Sequence, residues 1–186
     1  MDLRRSFDSM LDQAMADALC EAGFAKHRLA LTRRRRFWVE HFIFQRDKYN
    51  LNKIRCRYYL NVGLEFPMLP PAALWVFRRM SGMVNWRGKQ SVSLIHAGPE
   101  VAWATRAESL VAGLPREWEV VPATDFELLR PQVTAAILAV AQELRPWARS
   151  LIGRVCFSWL VGWFFAPFVK VDRPNRPRPK AAPLSR

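Results

Sequence analysis

Between Ile54 and Glu65 the chain alternates without a break. Ile54, Cys56, Tyr58, Leu60, Val62 and Leu64 occupy one set of positions, and Arg55, Arg57, Tyr59, Asn61, Gly63 and Glu65 the other. A period of two is the signature of a strand with one buried face, so this segment commits the chain to a sheet. The preceding run RFWVEHFIFQR (Arg36–Arg46) is apolar on both faces, with Phe37, Val39 and Ile43 on one and Trp38, Phe42 and Phe44 on the other. That pattern predicts a central strand covered on both sides. A hairpin is expected over Phe24–Arg34 and Arg36–Arg46, and the polar DKYNLNK turn separates it from the Ile54 strand.

Helical spacing appears at both ends of this sheet region. Leu3, Phe7, Met10, Leu11, Ala14, Ala18 and Leu19 form one face of an N-terminal helix that Gly23 should stop. Late in the chain, Thr124-x-x-Glu127 reads as a capping box, followed by Phe126, Leu129, Val133, Ile137, Val140 and Leu144 at helical intervals. Pro131 is expected to restart this helix and Pro146 to kink or weaken its end. Between them lie weaker features: a short helix over Ala72–Met80, a strand over Lys89–His96, a brief helix near Thr105–Gly113 and a short strand at Trp118–Val121. The expected fold is α+β, an antiparallel sheet of about four strands flanked by the N-terminal helix and a late C-terminal helix. Residues 1–150 should form this domain, 151–169 an aromatic apolar segment, and 170–186 a basic, Pro-rich flexible tail.

With 29 Lys and Arg against 16 Asp and Glu, the chain carries a formal charge of +13, and half of it is apolar, enough for a core. The charge is local. Phe24–Leu60 holds 11 basic and 2 acidic residues, and Lys170–Arg186 holds 6 basic and 1 acidic. Neighbouring charges add within a Debye length, so a concentrated excess points to an anionic partner. Arg33, Arg34, Arg35 and Arg36 alternate faces on a strand, and one pair is expected to join Arg55 and Arg57 on a single sheet face. Guanidinium forks suit phosphates and carboxylates, while Tyr59 and Trp38 would offer stacking surfaces to bases. No nucleic-acid-binding motif accompanies them.

Val155–Val169 (VCFSWLVGWFFAPFV) is 15 residues without a charge. As a helix it would reach about 22 Å, short of a hydrocarbon core of about 30 Å. Trp159, Trp163, Phe164, Phe165 and Phe168 suit a membrane interface, and the flanking arginines suit anionic lipid. Burial of this segment in protein is the competing expectation.

Several short segments resemble the bacterial family known as domain of unknown function 4304. An AGF turn (Ala22–Phe24) ends the first helix, FIFQRDKYN (Phe42–Asn50) follows a basic hairpin, and YYLNVGLEF (Tyr58–Phe66) closes a strand. Further on come EWEV (Glu117–Val120) and LRPW (Leu144–Trp147). The resemblance covers residues 3 to 147. It implies an α+β fold with helices flanking an antiparallel sheet, and no established activity.

Catalytic signatures are missing: the chain has no Walker A, GxSxG or HExxH pattern. Glu40 and His41 are adjacent on a strand and so face opposite ways, and His96 with Glu100 is the only other local acid–base pairing. Cys20, Cys56 and Cys156 share no metal-ligand spacing, so neither metal nor cofactor is expected. The acidic N-terminus does not read as a secretory signal, which predicts a cytoplasmic protein, at the inner face of the membrane if the apolar segment engages lipid. The sequence thus predicts a non-enzymatic accessory protein, of immunity type, whose arginine-rich face covers an acidic protein. A nucleic-acid-binding module and a peripheral membrane protein are the alternatives.

Overall fold

The alternating run forms the longest strand of the protein, Cys56–Glu65 (β4), in a computed structural model that describes residues 2–51, 53–84, 90 and 100–165, the side chains of Asp17, Phe164 and Phe165 excepted. Val39–Arg46 (β3) lies along one edge of β4, in a register that pairs Val39 with Glu65 and Arg46 with Tyr58. Ala30–Arg34 (β2) follows, then Phe24–His27 (β1). The other edge of β4 is shared end to end. Trp103–Arg106 (β5) pairs with Asn61–Leu64, and Trp118–Val120 (β6) pairs with Cys56–Tyr58. All pairings are antiparallel, and with the helices below the fold is α+β.

The sheet has six strands rather than about four. Phe24–Arg34 is itself a hairpin, turning at Arg28, whose φ of 55° places it in the left-handed region. The segment expected as a brief helix near Thr105 is instead β5 followed by one 3-10 turn, Ala107–Ser109. Half of the β4 edge would otherwise lack ladder partners, and that tertiary demand overrides a weak local preference. The strand expected over Lys89–His96 lies outside the described residues, apart from Gln90, which bridges to Val84.

One sheet face meets two helices. Leu3–Ala14 (α1) starts on Asp2, whose carboxylate accepts the Arg4 N–H at 3.1 Å, and ends in a π-helical turn, Met15–Leu19. Phe7 from α1 stacks on Tyr58 with ring centroids 3.9 Å apart and meets Phe44 edge-on. Lys26 reaches from β1 to Asp8 and Asp12 of α1, at 2.7 and 2.8 Å. On the opposite face, Asn61 and Gly63 are also covered. A Cβ on Gly63 would come within 2.8 Å of Val101 Cγ1, and Val101 joins Val84 and Ala104 in a second small core. The one-sided strand expected here is therefore two-sided over its C-terminal half.

Phe126–Phe165 (α3) is a single 40-residue helix, about 60 Å long. Its N-cap is Asp125, which accepts the N–H groups of Glu127 and Leu128 at 2.9 and 3.3 Å. Thr124 turns away from the expected capping box and accepts the Val121 N–H instead. Neither Pro131 nor Pro146 ends the helix. Both are exposed, so the carbonyls they leave unbonded face water. The expected boundary at residue 150 thus falls inside a continuous helix. Leu144, Ala148, Leu151, Val155, Ser158 and Gly162 are buried at alternating spacings of four and three, a seam that runs past the boundary. At its C-terminal end the seam packs on Pro71–Met80 (α2), so closely that a Cβ on Gly162 would lie 2.7 Å from Ala73 Cα. Among the described residues no helix is long and apolar enough to cross a membrane.

Candidate functional site

The six arginines singled out from the sequence do not share one face. The chain turns at residues 35–38, so Arg33 pairs with Glu40 across β2 and β3, in the row that faces the helices. Arg33 is buried. Its Nε donates to Glu40 Oε2 at 2.6 Å, its Nη2 to the Ala141 carbonyl at 3.2 Å, and its guanidinium lies 4.6 Å from the Phe24 ring centroid. Arg35 Nε reaches the other Glu40 oxygen at 3.3 Å, and the Trp38 indole N–H donates to that same oxygen at 3.1 Å. Trp38 is therefore an internal hydrogen-bond donor and no stacking platform. Arg34 and Arg36 are exposed, and Arg36 lies over the Phe37 ring at 5.0 Å.

Arg55 and Arg57 sit at the far end of the sheet. Glu65, level with Arg34 through Val39, is eight residues from Arg57 along β4, about 26 Å at strand rise. They are already matched by acids. Arg57 Nε lies 3.3 Å from Glu117 and 3.4 Å from Glu119 of β6, and Arg55 lies 3.7 Å from Glu119. Tyr59 donates its hydroxyl to Asp47 at 2.8 Å. That bond, reinforced by burial, pushes the phenol up to about 12. The expected arginine-rich sheet face is thereby corrected to two separate groups: Arg33 and Arg35 share the one carboxylate of Glu40, and Arg55 and Arg57 are matched by Glu117 and Glu119.

A further basic cluster lies elsewhere. Arg36 meets Arg145 and Arg149 of α3 around a depression of about 290 Å³ that Phe37 and Ile152 also line. From Phe37 and Ile152 this runs into an apolar groove of about 520 Å³ between Phe66, Met68, Cys156, Trp159 and Leu160. Met68 and Trp159 then lead to a third hollow that ends at Trp163. The groove exists because the buried seam of α3 faces α2 and the sheet, leaving Ile152, Trp159 and Trp163 on the adjoining stripe. Trp163 is 69% exposed and Leu160 58%, values that an isolated soluble domain has no packing reason to hold side by side. Trp159 and Trp163, expected from the sequence to dock on a membrane or partner, line these hollows. Phe164 and Phe165 are the last two residues of α3, and Phe168 lies outside the described residues. What sequence reading missed is the basic end, Arg145 and Arg149, and the partner wall, Phe37, Phe66 and Met68. Arg145, Arg149, Ile152, Cys156, Trp159 and Trp163 recur every three or four residues, the one signal that would have found the stripe.

As the strand alternation requires, Glu40 and His41 point to opposite faces, and His41 instead meets Glu65 of β4 at 2.9 Å. His96 lies outside the described residues. Cys56 is buried, whereas Cys20 and Cys156 are exposed. Among the described residues no three His, Cys, Asp or Glu side chains gather closely enough to hold a metal ion. Comparison with known proteins yields no relative: no family model matches the chain, and no curated protein or solved structure matches it.

Proposed function

We propose that this is a non-enzymatic docking protein that lies on an anionic membrane surface, with the second half of α3 and the Arg35–Phe37 turn against the lipid. The observation that carries this reading is the continuity of the groove, from Arg36, Arg145 and Arg149 at one end to Trp163 at the other. An apolar trough closed at one end by guanidinium groups matches acyl chains lying beside anionic headgroups. Tryptophan at the other end suits the headgroup boundary. Each arginine near such a surface is worth about 1 kcal/mol, so three supply roughly 3 kcal/mol before any apolar burial. From Lys170 onward the sequence adds six basic residues against one acid. Its charge has the same sign as the groove's basic end, so it suits the same surface better than it suits the groove. On this reading the protein works at the cytoplasmic face of the inner membrane, lying on it without spanning.

An acidic protein partner, the reading favoured by sequence alone, draws less support once Arg33, Arg35, Arg55 and Arg57 have internal carboxylates. Nucleic acid draws the least, because it has no use for an apolar trough. Flotation of the full chain with vesicles of phosphatidylglycerol and phosphatidylcholine tests the proposal. Binding should rise with the anionic fraction, fall with salt, and be lost in Trp159→Asp/Leu160→Asp and weakened in Arg145→Glu/Arg149→Glu. Failure to float with anionic vesicles, or binding unchanged by both double variants, overturns it.

A further inference from the structure

The three hollows along α3 join end to end, through Phe37 and Ile152 and then through Met68 and Trp159. Such a path suits one extended molecule better than a broad patch of bilayer. We infer that it takes up a single anionic lysophospholipid, with the headgroup at Arg36, Arg145 and Arg149 and the acyl chain in the trough. This lipid site rests on the reading above, that the groove meets anionic lipid, and narrows it to one bound molecule.

The trough disfavours a polar occupant. Among the described residues no charged side chain lines the hollow of about 520 Å³, and its side chains offer only the Trp159 indole and the Cys156 thiol as donors. A ligand rich in hydrogen-bonding groups would leave them unmet there. Methylene groups lose nothing and gain burial. The basic end is the reverse. Arg36, Arg145 and Arg149 line the adjoining hollow of about 290 Å³, and among the described residues no acidic side chain lines it. Guanidinium groups grip phosphate oxygens in pairs. Charge complementarity thus sets both the class of the occupant and the direction in which it lies.

Length fits one acyl chain. Arg149 to Trp159 is ten residues of α3, about 15 Å at helical rise. A hydrocarbon core of about 30 Å is two leaflets deep, so one acyl chain also spans about 15 Å. The walls are held before any lipid arrives. The Arg36–Phe37 tip is closed by the Arg35 N–H, which donates to the Trp38 carbonyl at 2.8 Å, and the Trp38 indole is anchored on Glu40. Phe66 meets Phe77 of α2 edge-on, with ring centroids 5.5 Å apart, and its carbonyl accepts the Leu69 N–H at 2.9 Å. Met68, within that turn, is the adaptable side chain that can follow a flexible chain. Preformed walls spare the ordering cost that a loose surface meets on binding.

Calorimetric titration of the full chain with myristoyl lysophosphatidylglycerol, kept below its micellar concentration, tests this. One molecule should bind per chain. Myristoyl lysophosphatidylcholine, whose quaternary ammonium would face the arginines, should bind severalfold more weakly, and glycerol phosphate, which lacks the chain, should not bind. Bound lipid should slow maleimide modification of Cys156 severalfold and leave that of Cys20, also exposed, unchanged. Cys156→Trp, at an exposed position, should fill the trough and cost about tenfold in affinity with an unchanged melting temperature. Arg145→Glu/Arg149→Glu should abolish the preference between the two lysolipids. No binding of lysophosphatidylglycerol, equal binding of the choline lipid, or Cys156 modified at the same rate with lipid present overturns the assignment. Flotation of the same preparation with anionic vesicles separates the two readings. A chain that floats yet takes up no lysolipid fails here alone, and one that does neither loses both.

Discussion

Replacing Glu40 with alanine would remove the carboxylate on which three donors converge. Glu40 has no exposed surface and accepts from Arg33, Arg35 and the Trp38 indole at 2.6, 3.3 and 3.1 Å. Without it Arg33, itself 7% exposed, keeps only the Ala141 carbonyl and the face of Phe24, and the Trp38 N–H has no acceptor. An uncompensated buried charge costs about 3–5 kcal/mol. For a chain of this length each kcal/mol moves the melting temperature by roughly 2–4 °C, so a fall of about 10 °C is expected. Thermal unfolding followed by circular dichroism measures it. High salt should not rescue the variant, because the pair is shielded from solvent ions. The double change Arg33→Met/Glu40→Leu should regain most of the loss, since it leaves neither charge unpaired. A fall of less than about 2 °C for Glu40→Ala, or a double variant no better than the single, would refute the claim that this acid compensates the buried charge of Arg33.

Glycines of α3 give a paired test. Gly162→Ala should destabilise by about 1–3 kcal/mol, because its methyl would meet the Ala73 backbone. Gly153→Ala, with open space at its Cβ, should stabilise by roughly 0.5–1 kcal/mol; equal effects in urea denaturation would contradict the seam. Tyr59 supplies a pH signature. Its folded value is raised to about 12 from 10.0, so the stability it contributes is whole below pH 10 and is lost as pH rises through 12. Asp47→Asn should bring that titration back toward the ordinary phenol range in tyrosinate absorbance, with Tyr59→Phe identifying the step.

Local periodicity carries the reading of β4 and α1, because each buries a face whose spacing is visible in ten or so residues. It failed where burial comes from distant chain. Nothing near Gly63 announces Val101, and nothing near Arg57 announces Glu117 and Glu119, sixty residues away. Arg33 is a different case. A lone acid, Glu40, in an otherwise apolar two-faced strand requires a cation beside it, and the hairpin register supplies one. Pro146 does not divide the long helix, because it faces solvent, where the carbonyl it leaves unbonded meets water. Of the groove, only the aromatic end was legible; its basic end and opposite wall needed the packing of α3 on α2.

Because α3 runs unbroken from the cap at Asp125 to Phe165, it behaves as a rod shared by two halves of the molecule. A load placed on its last turns is carried straight to the sheet. Held along its second half, that rod would fix the tilt of the sheet to whatever surface the helix lies on.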